Sequence, residues 1–310
     1  MKGEVNLARI AVIDIGTNST RLLVAEVSEA GGIIPLHSFL RTTRLGEGIE
    51  GGVLLGGPVA RTVEALLEMK AEARARSSSA IVAVATSAVR DADNRDWFLE
   101  EAFRKTGIKV RVLAGTEEAF YSYLGVAGEF GEDLKSTVIV DIGGGSTEFT
   151  WKIDGGVMCR SVNAGAVRMT EGGHGDPMIK KIMREALDEV SRGNPGKLTG
   201  VGGTVTTLAA MDMGLTQYDR SLVHGYTLTG IRVGKLLEKL VRAGPEGKKS
   251  IPGLQPARAD IIEAGVRILL IIMRFLEIDT ITVSEADLMY GLAIEAAKAV
   301  ERKSVNANQK

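Results

Sequence analysis

Apolar and polar positions change period several times along this chain, and each change marks an element. Ala8 to Ile15, Arg21 to Val27 and Ile33 to Arg41 alternate or run apolar between Gly and Asn turns, which predicts three successive strands. Val59, Val63, Leu66 and Leu67 then share one helical face, with Pro58 suited to the first turn. A strand at Ala80 to Ala85, a charged helix over Asn94 to Thr106, a strand at Lys109 to Leu113 and a helix from Thr116 to about Val126 follow. The order βββαβαβα then restarts with strands at Thr137 to Ile142, Thr147 to Ile153 and Gly156 to Asn163. A helix over Asp176 to Val190, with Asp176 as its cap, precedes a strand at Lys197 to Val201. Helices over Thr229 to Val241 and Ala257 to Leu276, a strand at Thr280 to Val283 and a helix from Glu285 to about Glu301 complete the pattern.

The restart is also visible residue by residue. Asp14-Ile-Gly-Thr-Asn-Ser-Thr-Arg21 returns as Asp141-Ile-Gly-Gly-Gly-Ser-Thr-Glu148, identical at five of eight positions. Each copy ends an apolar strand on Asp, turns through small and hydroxyl residues, and begins another strand. Backbone amides at such a turn approach an anion closely, and Ser or Thr hydroxyls add donors, so Thr17, Asn18, Ser19, Gly143, Gly144, Gly145, Ser146 and Thr147 are candidate phosphate contacts. Either turn alone reads equally well as an ordinary glycine hairpin; two copies in register do not. At the eighth position the copies differ in charge. Arg21 can pair with phosphate, whereas Glu148 cannot. Asp14, Asp141 and Glu148 around one polyanion repel it unless a cation intervenes, and hard oxygen ligands beside phosphate favour Mg²⁺, or a similar divalent ion such as Mn²⁺.

Three further stretches carry chemistry. Gly115-Thr-Glu-Glu-Ala119 opens a helix, with Thr116 placed to cap it and Glu117 and Glu118 in the positive first turn; beside a phosphate site, a carboxylate there can activate water. Thr86 to Asn94 concentrates hydroxyls, Arg90 and Asn94 after a strand, and Arg90 can reach phosphate. Gly202, Gly203 and Thr204 form a glycine turn into a helix N-terminus, another anion site. His224, Arg258, Arg267 and Cys159 read as structural.

Composition narrows the classes. With 38 Lys+Arg against 39 Asp+Glu in 310 residues, nothing favours DNA or RNA binding. A single cysteine and three scattered histidines indicate neither disulfides nor structural zinc, which fits a reducing cytoplasm. The most apolar helix, Ala257 to Leu276, carries Arg258, Asp260, Glu263, Arg267 and Arg274 and is read as a buried helix, since a membrane span needs about 20 mostly apolar residues.

DIGTNSTRL from Asp14, TSAVRDADN from Thr86, GTEEA from Gly115, DIGGGSTE from Asp141 and GVGGTVTTLAA from Gly200 together resemble the exopolyphosphatase/guanosine pentaphosphate phosphatase (Ppx/GppA) family. The resemblance implies an α/β fold, the duplicated ribonuclease-H-like fold of the actin-like ATPase superfamily, with the active site in a cleft between two lobes. The lobes are expected at 1–127 with a returning helix at 285–303, and at 128–284, with 304–310 a disordered tail. By motif position Glu118 matches the general base; Asp141 and Glu148 match acidic residues associated with metal and water; Arg21, Arg90 and the glycine turns match phosphate contacts. The implied activity is exopolyphosphatase, Mg-dependent removal of the terminal phosphate of polyphosphate. Guanosine pentaphosphate hydrolysis is the nearest alternative, and a non-catalytic sensor of guanosine tetra- or pentaphosphate is an alternative of another class; an ATP-dependent kinase lacks its sugar-site motif. The chain resembles the short two-domain form, for which processive action on long chains is not expected. No membrane partner is implied, and a homodimer is left open.

Overall fold

The computed structural model describes residues 7–28, 31–131, 134–153 and 156–308. It divides into two compact units, the first comprising 1–114, 121–132 and 288–310, the second 115–120 and 133–287. In chain order the elements are β1 (Leu7–Ile15), β2 (Thr20–Ser28), β3 (Ile33–Arg41), α1 (Gly56–Ala75), β4 (Ala80–Ala85), α2 (Ser87–Arg90), α3 (Arg95–Thr106), β5 (Val110–Val112) and α4 (Gly115–Phe130). The second series is β6 (Thr137–Ile142), β7 (Thr147–Ile153), β8 (Gly156–Val162), α5 (Ala166–Glu171), α6 (Asp176–Arg192), β9 (Lys197–Val201), α7 (Gly202–Met213), α8 (Arg220–Val223), β10 (Thr227–Thr229), α9 (Gly230–Lys248), α10 (Ile262–Phe275), β11 (Thr280–Val283) and α11 (Leu288–Asn308).

Each unit is built on one sheet, ordered β3-β2-β1-β4-β5 in the first and β10-β11-β9-β6-β7-β8 in the second. In both, the first strand of the series pairs antiparallel with the second and parallel with the fourth. The repeat seen in eight residues therefore extends to topology, with β10 added at one edge. Strand β1 is fully buried from Ile10 to Ile13 because α1 and α11 both pack on the sheet, which accounts for its unbroken apolar run.

Helix α10 has ten of its fourteen residues buried, so its apolarity serves a core. Among the described residues no helix is long and apolar enough to cross a membrane. It starts later than the pattern suggested, because Pro256–Arg258 forms a 3-10 turn, which removes Arg258 from the helical face. Other expectations shift at element ends. Leu67 is 45% exposed although Val59, Val63 and Leu66 are buried, because the buried stripe is narrower than the pattern allowed. Helix α6 begins with Asp176 inside its first turn, paired at 3.0 Å with Arg267 rather than capping. The last helix continues to Asn308, and residues 309 and 310 lie outside the described set.

Candidate functional site

The two repeated hairpins close in the same way. The Gly16 amide donates to the Ser19 carbonyl at 3.0 Å, and the Gly143 amide donates to the Ser146 carbonyl at 3.0 Å. In the first unit the Thr17 and Asn18 carbonyls accept from the amides of Gly46 (2.8 Å) and Arg44 (2.9 Å), in the loop after β3. In the second unit the Gly143 carbonyl accepts from Ala166 N (2.9 Å) and the Gly144 carbonyl from Val167 N (2.7 Å) and Arg168 N (3.1 Å). The Arg168 Nε donates to the Gly145 carbonyl at 2.8 Å. The carbonyls of both turns are thus held by a neighbouring segment, while the amides of Thr17, Asn18, Gly144 and Gly145 donate to no backbone carbonyl among the described residues. A turn with its acceptors tied back and its donors left over suits an anion.

Strand register puts the eighth residue of each motif opposite its Asp: Arg21 faces Asp14 and Glu148 faces Asp141. The outcomes are opposite. Arg21 donates through Nε (3.1 Å) and Nη2 (2.6 Å) to Asp14 Oδ2, an ion pair whose Asp side is 6% exposed. A residue read as a phosphate contact and one read as a metal ligand therefore hold each other. In the second unit two carboxylates stand opposite, Glu148 buried at 1% exposure and accepting from Ser161 Oγ at 2.7 Å. Like charges in opposed strand positions are unfavourable without compensation.

The first turn of α4 separates its two acids, since Glu117 is exposed and Glu118 is buried. This turn belongs to the second unit, where the Thr150 hydroxyl donates to the Ala119 carbonyl at 3.0 Å. Thr116 is not a cap, because the helix already starts at Gly115. In the first unit the Thr86 amide donates to the Ile15 carbonyl at 3.2 Å, which sets α2 beside the first turn. Arg90 there donates to the Leu113 carbonyl at 3.2 Å and lies 3.6 Å from Asp91. Asn94 instead brackets the Leu54 backbone, accepting at 2.8 Å and donating at 3.0 Å, which is a structural task.

Around the third glycine turn, Gly202 has φ +84°, and a Cβ there would come 2.5 Å from Asp141 Oδ1, so glycine lets the carboxylate lie against the α7 N-terminus. The Arg258 guanidinium occupies the space a Gly203 side chain would fill. Arg258, read from sequence as structural, joins Asp141 and this turn. Thr147 and Thr204 contribute less than their chemistry suggested: the Thr147 hydroxyl donates to the Ala164 carbonyl, and the Thr204 side chain is buried against Gly265. His224 Nδ1 accepts from the Glu285 amide at 3.1 Å, and Tyr218 donates to the Glu285 carboxylate. Burial and then the Glu285 charge push that phenol up, and the group ties α8 to the end of β11.

Among the described residues no group of three or more His, Cys, Asp or Glu side chains is placed to hold a metal ion. Asp141 and Glu148 nonetheless suit a magnesium ion, which is held by one or two carboxylates together with substrate phosphate and water. Asp14, already paired with Arg21, suits it less.

Arg168 and Gly165 had no sequence signal beyond the small-residue run Asn163-Ala-Gly-Ala166. A Cβ on Gly165 would overlap the Gly144 carbonyl group. Gly165→Ala is expected to displace the second turn and lower kcat at least about tenfold, since shifts on the order of 1 Å at a reacting site cost up to about 10² in rate. Steady-state kinetics on the folded variant check this, and wild-type kcat would show that the turn's position is immaterial.

The profile of the Ppx/GppA phosphatase family matches residues 23–299. A protein named exopolyphosphatase 2 from Mycobacterium tuberculosis is 33% identical, covering 94% of this chain and 99% of its own. A solved structure of the Aquifex aeolicus member of the Ppx/GppA family superimposes with a TM-score of 0.76 at 30% identity, over 95% of this chain and 99% of that one. An exopolyphosphatase structure from Cytophaga hutchinsonii gives a TM-score of 0.84 at 24% identity, over 91% and 96%, and shares the fold.

Proposed function

The chain belongs to the Ppx/GppA phosphatase family, is a phosphoanhydride hydrolase and has that family's duplicated ribonuclease-H-like fold, and from this premise we propose that it removes the terminal phosphate of inorganic polyphosphate. The observation that carries the proposal is the pair of hairpins with one turn geometry and opposite charge pairing, Asp14 with Arg21 and Asp141 with Glu148. The first turn grips phosphate through the amides of Thr17, Asn18 and Ser19, with Asp14 orienting Arg21 so that the guanidinium is presented as a fixed fork. Arg90, anchored on the Leu113 carbonyl, adds a second cation.

Asp141 and Glu148 would hold a divalent ion, Mg²⁺ or Mn²⁺, which would supply neutralisation of charge on the phosphoryl oxygens. Glu118 accepts the proton of the attacking water as its oxygen bonds to the terminal phosphorus opposite the leaving bridge oxygen. The amides of Gly144, Gly145, Gly203 and Thr204 and the Arg258 guanidinium stabilise charge on the equatorial oxygens. Burial of Glu118 and exposure of Glu117 favour Glu118 as the base.

The reading is tested by phosphate release from tripolyphosphate, long polyphosphate and guanosine pentaphosphate with Mg²⁺, repeated with excess EDTA. Release from tripolyphosphate, lost with the chelator, is expected. Release from guanosine pentaphosphate alone would move the activity to that substrate, and binding without release from any of the three would make the protein a sensor.

A further inference from the structure

The two repeated turns hold equivalent carbonyls by different means. Asn18 and Gly145 take the same place in their motifs, each just before the serine. In the first turn the Asn18 carbonyl accepts from a backbone amide, that of Arg44, at 2.9 Å. In the second, the Gly145 carbonyl accepts from no backbone amide among the described residues, and its donor is the Nε of Arg168 at 2.8 Å. One side chain thus does in this copy what the backbone does in the other. Gly145 is buried, and a buried carbonyl left without a donor is costly.

A trans peptide points its C=O and the N–H of the next residue in opposite directions, and the described residues contain no cis peptide bond. Three successive planes of the second turn are held from the α5 side. The Gly143 carbonyl accepts from Ala166 N, the Gly144 carbonyl from Val167 N and Arg168 N, and the Gly145 carbonyl from Arg168 Nε. The amides of Gly144, Gly145 and Ser146 are therefore all directed to the side away from α5. Successive amides aimed to one side form a concave cradle that a phosphoryl group fits. Backbone donors set the first two planes. The third, which carries the Ser146 amide, is held through its carbonyl by the half-buried Arg168 side chain. Gly165 lets the two segments touch, since a Cβ there would lie 2.4 Å from the Gly144 carbonyl oxygen.

We propose that Arg168 is a positioning residue for phosphoryl transfer, holding the Gly145 carbonyl so that the Ser146 amide is aimed at an equatorial oxygen of the phosphoryl group. The inference rests on the phosphohydrolase reading for the reaction it serves. Arg168 Nε donates on the side away from the cradle, so it acts through the peptide and not by touching substrate. Donors aimed at charge that develops in the transition state raise kcat and leave ground-state binding alone.

The test compares wild type, Arg168→Met and Arg168→Gln for kcat and KM on tripolyphosphate, well below the Tm of each, with crystal structures of wild type and R168M. Met and Gln end the same number of bonds from the backbone as Arg Nε, but only Gln has an N–H there. R168M is expected to lose at least about tenfold in kcat, toward the roughly 10²- to 10³-fold that removing one such donor costs, with KM within about twofold of wild type. R168Q, which keeps the donor and loses the charge, is expected to stay within about threefold of wild-type kcat. In the R168M crystals the Gly145–Ser146 peptide is expected to be rotated, its carbonyl turned off α5. A lower Tm with unchanged kcat in R168M would make Arg168 a structural prop and overturn the inference. So would a rise in KM at unchanged kcat, equal losses of kcat in both variants, or an unmoved peptide in R168M. Should R168M not fold, R168Q decides: kcat near wild type supports the inference, and a tenfold loss overturns it. If the wild type binds tripolyphosphate without releasing phosphate, the functional reading fails; a rotated peptide in R168M then still supports the positioning of the Ser146 amide, and an unmoved one overturns that too.

Discussion

Replacing Glu118 by Gln is expected to lower phosphate release from tripolyphosphate by about 10²- to 10⁴-fold, the usual contribution of a positioned general base, with binding of tripolyphosphate unchanged. Gln keeps the shape and the donors and acceptors near those of Glu but cannot accept the water proton. The surroundings argue against indirect damage. Glu118 sits in the first turn of α4, whose backbone is fixed by the Thr150 hydroxyl on the Ala119 carbonyl. Loss of a carboxylate from a helix N-terminus costs about 0.3–1 kcal/mol, too little to unfold the protein. Glu117→Gln is the matched control, since its side chain is exposed on the same turn, and near wild-type turnover is expected. Steady-state kinetics with calorimetric binding separate the steps. Equal losses in both variants would remove Glu118 from the role of base.

Much of this was legible in the sequence because it is local. The strand order and the restart at Thr137 follow from period-two alternation broken by glycine turns, and β1, β2, β6 and β7 end within two residues of where the pattern put them. Opposite charge at Arg21 and Glu148 was readable too, and register then placed each across from its Asp. What escaped depends on residues distant in sequence. Whether Arg21 turns to phosphate or to Asp14 is decided by a cross-strand approach, and the Thr147 hydroxyl is taken by a carbonyl of Ala164. Arg258 reaches Gly203 because Pro256 opens a short turn, which no apolar period encodes. Arg168 acts through the backbone of another segment, and backbone hydrogen bonds between loops leave no residue-type signature.

The second large effect concerns the other half of the repeat. If the second turn handles metal, Glu148→Gln removes one hard anionic ligand from a buried position while keeping its volume and its contact with Ser161, whose hydroxyl can rotate to accept from the new amide. Supporting residues around metal ligands are commonly worth about 10- to 100-fold in affinity, so loss of a ligand is expected to raise the half-saturating Mg²⁺ concentration at least about tenfold. A neutral side chain opposite Asp141 also removes like-charge repulsion, so the apo protein should lose no stability.

Division of labour between two copies of one hairpin is the central claim, and Mg²⁺ titration of tripolyphosphate hydrolysis in E148Q beside R21Q addresses it directly. The half-saturating Mg²⁺ concentration should rise at least about tenfold in E148Q and stay within about twofold of wild type in R21Q, while KM at saturating metal rises in R21Q alone. An unchanged Mg²⁺ requirement in E148Q, or the same rise in both variants, would contradict it.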